Sequence, residues 1–141
     1  MNRTQAWQKK QLPEGQYYGQ VKEGQPHGQG QLDYDKSHPT LGQHLDRPQQ
    51  YRGEFKRGEP HGVGEYQFRN GDHYSGQVKG VPHGKGHITF GREWKDQSLE
   101  DGEGAEIFPE AGDQLHGHFT DGKIKSGTLQ NPAGETLPVK G

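Results

Sequence analysis

Residues 51–71 read Tyr51-Arg52-Gly53-Glu54-Phe55-Lys56-Arg57-Gly58-Glu59-Pro60-His61-Gly62-Val63-Gly64-Glu65-Tyr66-Gln67-Phe68-Arg69-Asn70-Gly71. Tyr51, Gly53 and Phe55 alternate with Arg52, Glu54 and Lys56, which is the period of a strand with one charged face. Gly62, Gly64, Tyr66 and Phe68 alternate in the same way with Val63, Glu65 and Gln67. Proline presets φ early in a turn and glycine suits its end, so Gly58-Glu59-Pro60-His61-Gly62 is expected to be the turn between the strands. Asn70-Gly71 is the preferred dipeptide of a two-residue type I′ hairpin and is expected to lead into the next unit.

The pattern recurs on either side. Gly-x-Pro-His-Gly-x-Gly occurs at Gly24, Pro26, His27, Gly28, Gly30; at Gly58, Pro60, His61, Gly62, Gly64; and at Gly80, Pro82, His83, Gly84, Gly86. Each copy sits behind a Tyr-x-Gly, at Tyr17, Tyr51 and Tyr74. Each is followed by two apolar residues two apart: Leu32/Tyr34, Tyr66/Phe68 and Ile88/Phe90. Tyr51 to Tyr74 spans 23 residues and Tyr17 to Tyr51 spans 34, so about 11 residues are inserted between the first two units. Two weaker copies are read further on. Phe90-x-Arg92-x-Trp94 with Gly102-x-Gly104 is taken as a fourth, and Leu115-x-Gly117-x-Phe119 with Gly122 and Gly127 as a fifth.

Tyr-x-Gly-x-(Phe/Val) followed by Gly-x-Pro-His-Gly-x-Gly at this period resembles the MORN repeat (membrane occupation and recognition nexus) over roughly residues 15–130. The expected fold is all-β: a single-layer antiparallel meander of about five hairpins. Residues 1–14 are read as an N-terminal cap, 15–130 as the array with an inserted loop at about 35–50, and 131–141 as a C-terminal tail. Repeat arrays are quasi-one-dimensional, each unit touching its neighbours. An aromatic ring lying across the bare backbone of a neighbouring glycine gives a core one ring thick. That explains how the chain folds with Leu, Ile, Val and Phe at only about 15% of its 141 residues, below the ~20% typical of folded chains.

With no second layer, the aromatic face is expected to lie open as an interaction surface. Its candidate partner-binding residues are Tyr17, Tyr51, Phe55, Tyr66, Phe68, Tyr74, Phe90 and Trp94. The MORN resemblance implies a protein–protein scaffold or adaptor, with a protein partner or a homodimer covering that face. Phospholipid recognition is the alternative, but charge does not favour it. The net charge is −2 and the basic runs are only pairs, Lys9-Lys10 and Lys56-Arg57, where anionic lipid attracts clusters of basic residues. The same balance argues against nucleic acid.

Catalysis finds no footing. The chain has no Cys, no Gly-x-Ser-x-Gly elbow and no phosphate loop ending in Lys-Ser/Thr. His73 and Ser75 share a strand face without an acidic orienter at a defensible spacing. A non-enzymatic chain without cofactor is expected. His27, His61 and His83 recur two strands apart, about 9–10 Å, too far to share a metal at ~2.0–2.1 Å. They are read as tying down their own turns. A metal-dependent activity using His38, His44 and Asp46 of the inserted loop is a distant third reading; a tolerated surface loop is the simpler one. The polar start of the chain lacks the apolar core of a secretory signal. A cytoplasmic protein is expected, with a peripheral membrane position left open.

Overall fold

A computed structural model describes residues 6–141. The first five positions of the expected N-terminal cap lie outside the described residues. From there the chain forms β1 (Gln8–Leu12), β2 (Gly15–Lys22), β3 (Gln25–Tyr34), β4 (Pro48–Lys56), β5 (Glu59–Phe68), β6 (His73–Lys79), β7 (Val81–Thr89), β8 (Leu99–Glu100), β9 (Glu106–Ile107), β10 (Gln114–Thr120), β11 (Lys123–Gln130) and β12 (Thr136–Lys140). They make one open antiparallel sheet in the order β1-β2-β3-β4-β5-β6-β7-β10-β11-β12-β8-β9. The meander is as expected up to β7. The cap and the tail each add a strand, β1 and β12.

Two rows of residues explain why this sequence makes this sheet. Gly19, Gly30, Gly53, Gly64, Gly76, Gly86, Gly117 and Gly127 stand opposite one another across eight neighbouring strands. Two residues along each strand runs an apolar row: Tyr17, Leu32, Tyr51, Tyr66, Tyr74, Ile88, Leu115 and Leu129. The rings of Tyr17, Tyr51 and Tyr74 lie over Gly30, Gly64 and Gly86, where a Cβ would collide with each phenol. Glycine loses more freedom on folding than any other residue. That cost is offset because each tyrosine beside it is completely buried, a gain of about 1.5–3 kcal/mol for a large apolar side chain.

The fourth repeat is not formed. Phe90 ends the strand pattern of the third unit, as Phe68 ends that of the second, and Trp94 belongs to no strand. The backbone N–H of Phe90 donates to the Asp113 carbonyl at 2.9 Å, and that of Gly112 to the Phe90 carbonyl at 2.8 Å. The chain therefore leaves the sheet after Phe90 and returns beside its point of departure. β10 then pairs directly with β7, with His116 opposite His87 and Gly117 opposite Gly86. The fifth copy is a true hairpin, β10–β11, in which Leu115 packs over Gly127 in place of a tyrosine. The excursion carries β8 and β9 to the far edge, where Glu100 pairs with Lys140 of β12.

The turns also differ from expectation. Arg57 and Gly58 both have positive φ, 52° and 91°, and Lys56 faces Glu59. This is a two-residue type I′ turn, whose twist matches that of the flanking strands. Glu23-Gly24 and Asp121-Gly122 repeat the positive pair. Pro60, His61 and Gly62 thus lie inside β5 and not in the turn. At Asn70-Gly71 the expected type I′ turn is absent, because only Gly71 has positive φ. Gly71 N–H donates to Phe68 O at 3.0 Å and Phe68 N–H to Asp72 O at 2.9 Å. That is a three-residue loop with glycine in the left-handed position, the next commonest hairpin connection.

Candidate functional site

Pro-His-Gly has its own local purpose. Opposite the single residue Gln20, the neighbouring strand carries three, His27-Gly28-Gln29; Glu54 faces His61-Gly62-Val63 and Gln77 faces His83-Gly84-Lys85 likewise. The bulged backbone is held by those lone residues. Gln29 N–H donates to Gln20 Oε1 at 2.6 Å, Val63 N–H to Glu54 Oε2 at 2.5 Å, and Lys85 N–H to Gln77 Oε1 at 2.7 Å. Each tyrosine hydroxyl donates to the carbonyl of the same residue: Tyr17 to Gln20 at 2.5 Å, Tyr51 to Glu54 at 2.8 Å, Tyr74 to Gln77 at 2.6 Å. Burial pushes the Tyr17 phenol up to about 12 and raises Tyr51 and Tyr74 as well, so all three remain donors. Gln20, Glu54 and Gln77 were missed in the sequence reading, although each stands three residues after its tyrosine.

The prolines join one hairpin to the next. Gly58 N–H donates to Pro26 O at 2.9 Å, Gly80 N–H to Pro60 O at 2.7 Å, and Gly122 N–H to Pro82 O at 2.9 Å. Each of these three turn glycines is thereby tied to the preceding hairpin. His83 works across the same joint. Its Nδ1 accepts from Asp121 N–H at 3.1 Å, with the Asp121 carboxylate 3.4 Å away. It ties the following turn, not its own as expected. His27 and His61 sit half-buried within β3 and β5.

A family model of the MORN repeat matches residues 17–37, 51–73 and 74–92, which are the three hairpins built on this tyrosine–glycine–bulge unit. These three segments are MORN repeats. No curated protein matches it. The matched segments contain the three full repeats of the MORN array and end where the chain leaves the sheet.

The aromatic face of this MORN array is closed. Tyr17, Tyr51, Phe55, Tyr66, Phe68, Tyr74, Phe90 and Trp94, expected to form an open groove, are all at most 5% exposed. Two straps share in that closure: the insertion, residues 35–47, and the excursion, residues 91–113, which carries Trp94 itself. Leu45, Trp94 and Leu99 of the straps are buried in one core with the sheet's rings. His44 stacks on Trp94 with ring centroids 5.8 Å apart, and its Nδ1 accepts from Ile124 N–H at 3.0 Å. Gly42 packs so closely on the Asp121-Gly122 turn that a Cβ would strike the Gly122 carbonyl. Asp72, 2% exposed, accepts from Gly91 N–H at 2.7 Å and from Asn70 Nδ2 at 3.0 Å, fixing the root of the second strap. Burial raises its carboxyl above the ordinary value, and these hydrogen bonds oppose the rise.

The insertion is therefore more than a tolerated surface loop: His44 and Leu45 enter the core, while most of its other residues stay exposed. Its three polar candidates are dispersed. His38 packs edge-on against Tyr34, His44 is buried against Trp94, and Asp46 lines an open cleft of about 760 Å³ between the two straps. Among the described residues no three His, Asp or Glu side chains are grouped to hold a metal.

Four large apolar side chains meet solvent among the described residues: Trp7, Tyr18 and Val63 of the sheet region and Phe108 of the second strap. Trp7 and Tyr18 are each 45% exposed and pack edge-to-face with centroids 5.1 Å apart. They lie at the β1 edge, where Lys9 stands opposite Tyr18. From Tyr18 a polar row crosses the sheet through Gln31, Arg52, Glu65, Ser75, His87 and His116. No helix among the described residues is long and apolar enough to cross a membrane.

Proposed function

We propose that this chain is a non-catalytic scaffold that binds a protein partner at the β1 edge of its outer face, with Trp7 and Tyr18 as the anchors. The observation that carries this reading is the half-exposed aromatic pair. Large aromatic side chains dominate the energetics of protein interfaces. The pair sits beside the terminal strand of the sheet, and a free edge can accept an extended segment of another chain. Lys9 and Lys10 of that strand guard it against indiscriminate pairing, and they favour a segment with acidic residues. The inner aromatic face takes no part while the straps are docked.

The test compares wild type with a Trp7→Ser/Tyr18→Ser variant. Capture from host lysate is quantified, and any enriched protein is then titrated in purified form against both. Saturable binding that wild type retains and the variant loses supports the reading. Equal binding by both overturns it. Salt-sensitive co-sedimentation with anionic vesicles, lost in the same variant, replaces the protein partner with a lipid surface.

A further inference from the structure

The polar row of the outer face brings two histidines together that sequence spacing does not connect. His87 of β7 and His116 of β10 stand directly opposite each other, with ring centroids 5.2 Å apart and planes inclined by 33°. Metal–nitrogen bonds of ~2.0–2.1 Å at a tetrahedral angle place the centroids of two ligating imidazoles about 5 Å apart. The rings already stand at that separation. The nitrogens are also uncommitted: among the described residues no side-chain or backbone group hydrogen-bonds to either ring. In contrast, His44 and His83 each spend Nδ1 on a backbone N–H.

We propose that His87 and His116 form a two-histidine site for a late first-row divalent cation, with zinc as the reference metal. Imidazole suits zinc, copper and nickel, and selects against the oxygen-loving magnesium and calcium. Water completes the coordination, since no third ligand is grouped with the pair among the described residues. Ligation needs the unprotonated ring. Both side chains lie on the outer face, away from the straps and away from Trp7 and Tyr18, so the site is independent of the scaffold reading. A bound cation would clamp β7 to β10, the joint at which the excursion leaves the array.

The test uses the whole chain and zinc chloride. Isothermal titration should give one zinc per chain, and ring nitrogen resonances of His87 and His116 should shift while those of His44 and His83 do not. Binding should be lost in His87→Gln and in His116→Gln and kept in His73→Gln. The resonance shifts in wild type are read without any variant, so a folding defect cannot mimic the result. No saturable binding at millimolar zinc overturns the proposal, as does binding that survives both glutamine variants. Binding lost only in His38→Ala would place the metal on the inserted strap and overturn it equally.

Discussion

His44 accepts a hydrogen bond from the backbone N–H of Ile124, although 80 positions separate them in the chain. The imidazole is 3% exposed and stacks on Trp94, so one side chain links the first strap, the second strap and the β10–β11 hairpin. Nδ1 can accept only while it carries no proton.

Stability should therefore fall in mild acid. Burial, then the nearby Lys123, lowers the His44 folded-state value below the ordinary 6.5. Between the two values the unfolded chain binds more protons than the folded one, so stability rises with pH there. The contribution is full above the unfolded value and declines as pH falls through 6.5 towards the folded value. His87 acts in the same sense. Urea midpoints measured from pH 8 to pH 5 should drop, and His44→Asn, which keeps an acceptor without this titration, should flatten the slope. An unchanged slope would remove His44 from this role.

Gly64→Ala should be among the most damaging single-methyl changes. The added Cβ would meet the Tyr51 hydroxyl and lie 2.5 Å from the ring carbon Cε1. Over-packing of this kind costs about 1–3 kcal/mol. Tyr51→Phe removes only the bond to Glu54 O and should cost about 0.5–1.5 kcal/mol. Chemical denaturation of the two variants should rank them in that order.

Glu54 should tolerate glutamine and not alanine. Gln20 and Gln77 already occupy the equivalent place in the other two hairpins. Glu54→Gln keeps an acceptor for Val63 N–H and should be nearly neutral. Glu54→Ala removes it, for a loss of about 1 kcal/mol. Amide exchange at Val63 should accelerate in the alanine variant alone.

Trp94→Ala should open the inner face. It removes the ring that both His44 and Phe90 pack against. Truncating a buried tryptophan costs about 3–5 kcal/mol. The variant should bind a fluorescent apolar dye that wild type does not, at a temperature where circular dichroism still reports the sheet.

The array was legible because its two rows are written locally. Tyr51-x-Gly53 and Gly62-x-Gly64-x-Tyr66 carry the period of a strand, and a 23-residue repeat carries the register. What closes the inner face was not legible, because its contacts join distant residues without periodicity: His44 to Ile124, Gly42 to Gly122, Gly71 to Gly91. Phe90-x-Arg92-x-Trp94 misled by composition. Its spacing of 16 from Tyr74 marks Phe90 as the end of the third unit, not the start of a fourth. Pro60 was placed in the turn by its usual preference, whereas Arg57-Gly58 satisfies the strand twist one step earlier. The His87–His116 pair was hidden because the excursion separates its two strands in the chain and not in the sheet.

The hydrogen bonds between Phe90 and residues 112–113 have an engineering consequence. The entry and exit of the excursion are fastened to each other, and the β7–β10 ladder runs past them uninterrupted. Whatever is spliced into the tip between them need not strain the ladder. Gly102 and Gly104 at that tip meet nothing within 4 Å on the side where a Cβ would project. A fluorescent reporter or a binding peptide inserted there would ride on the array as cargo, leaving the buried rings beneath it in place.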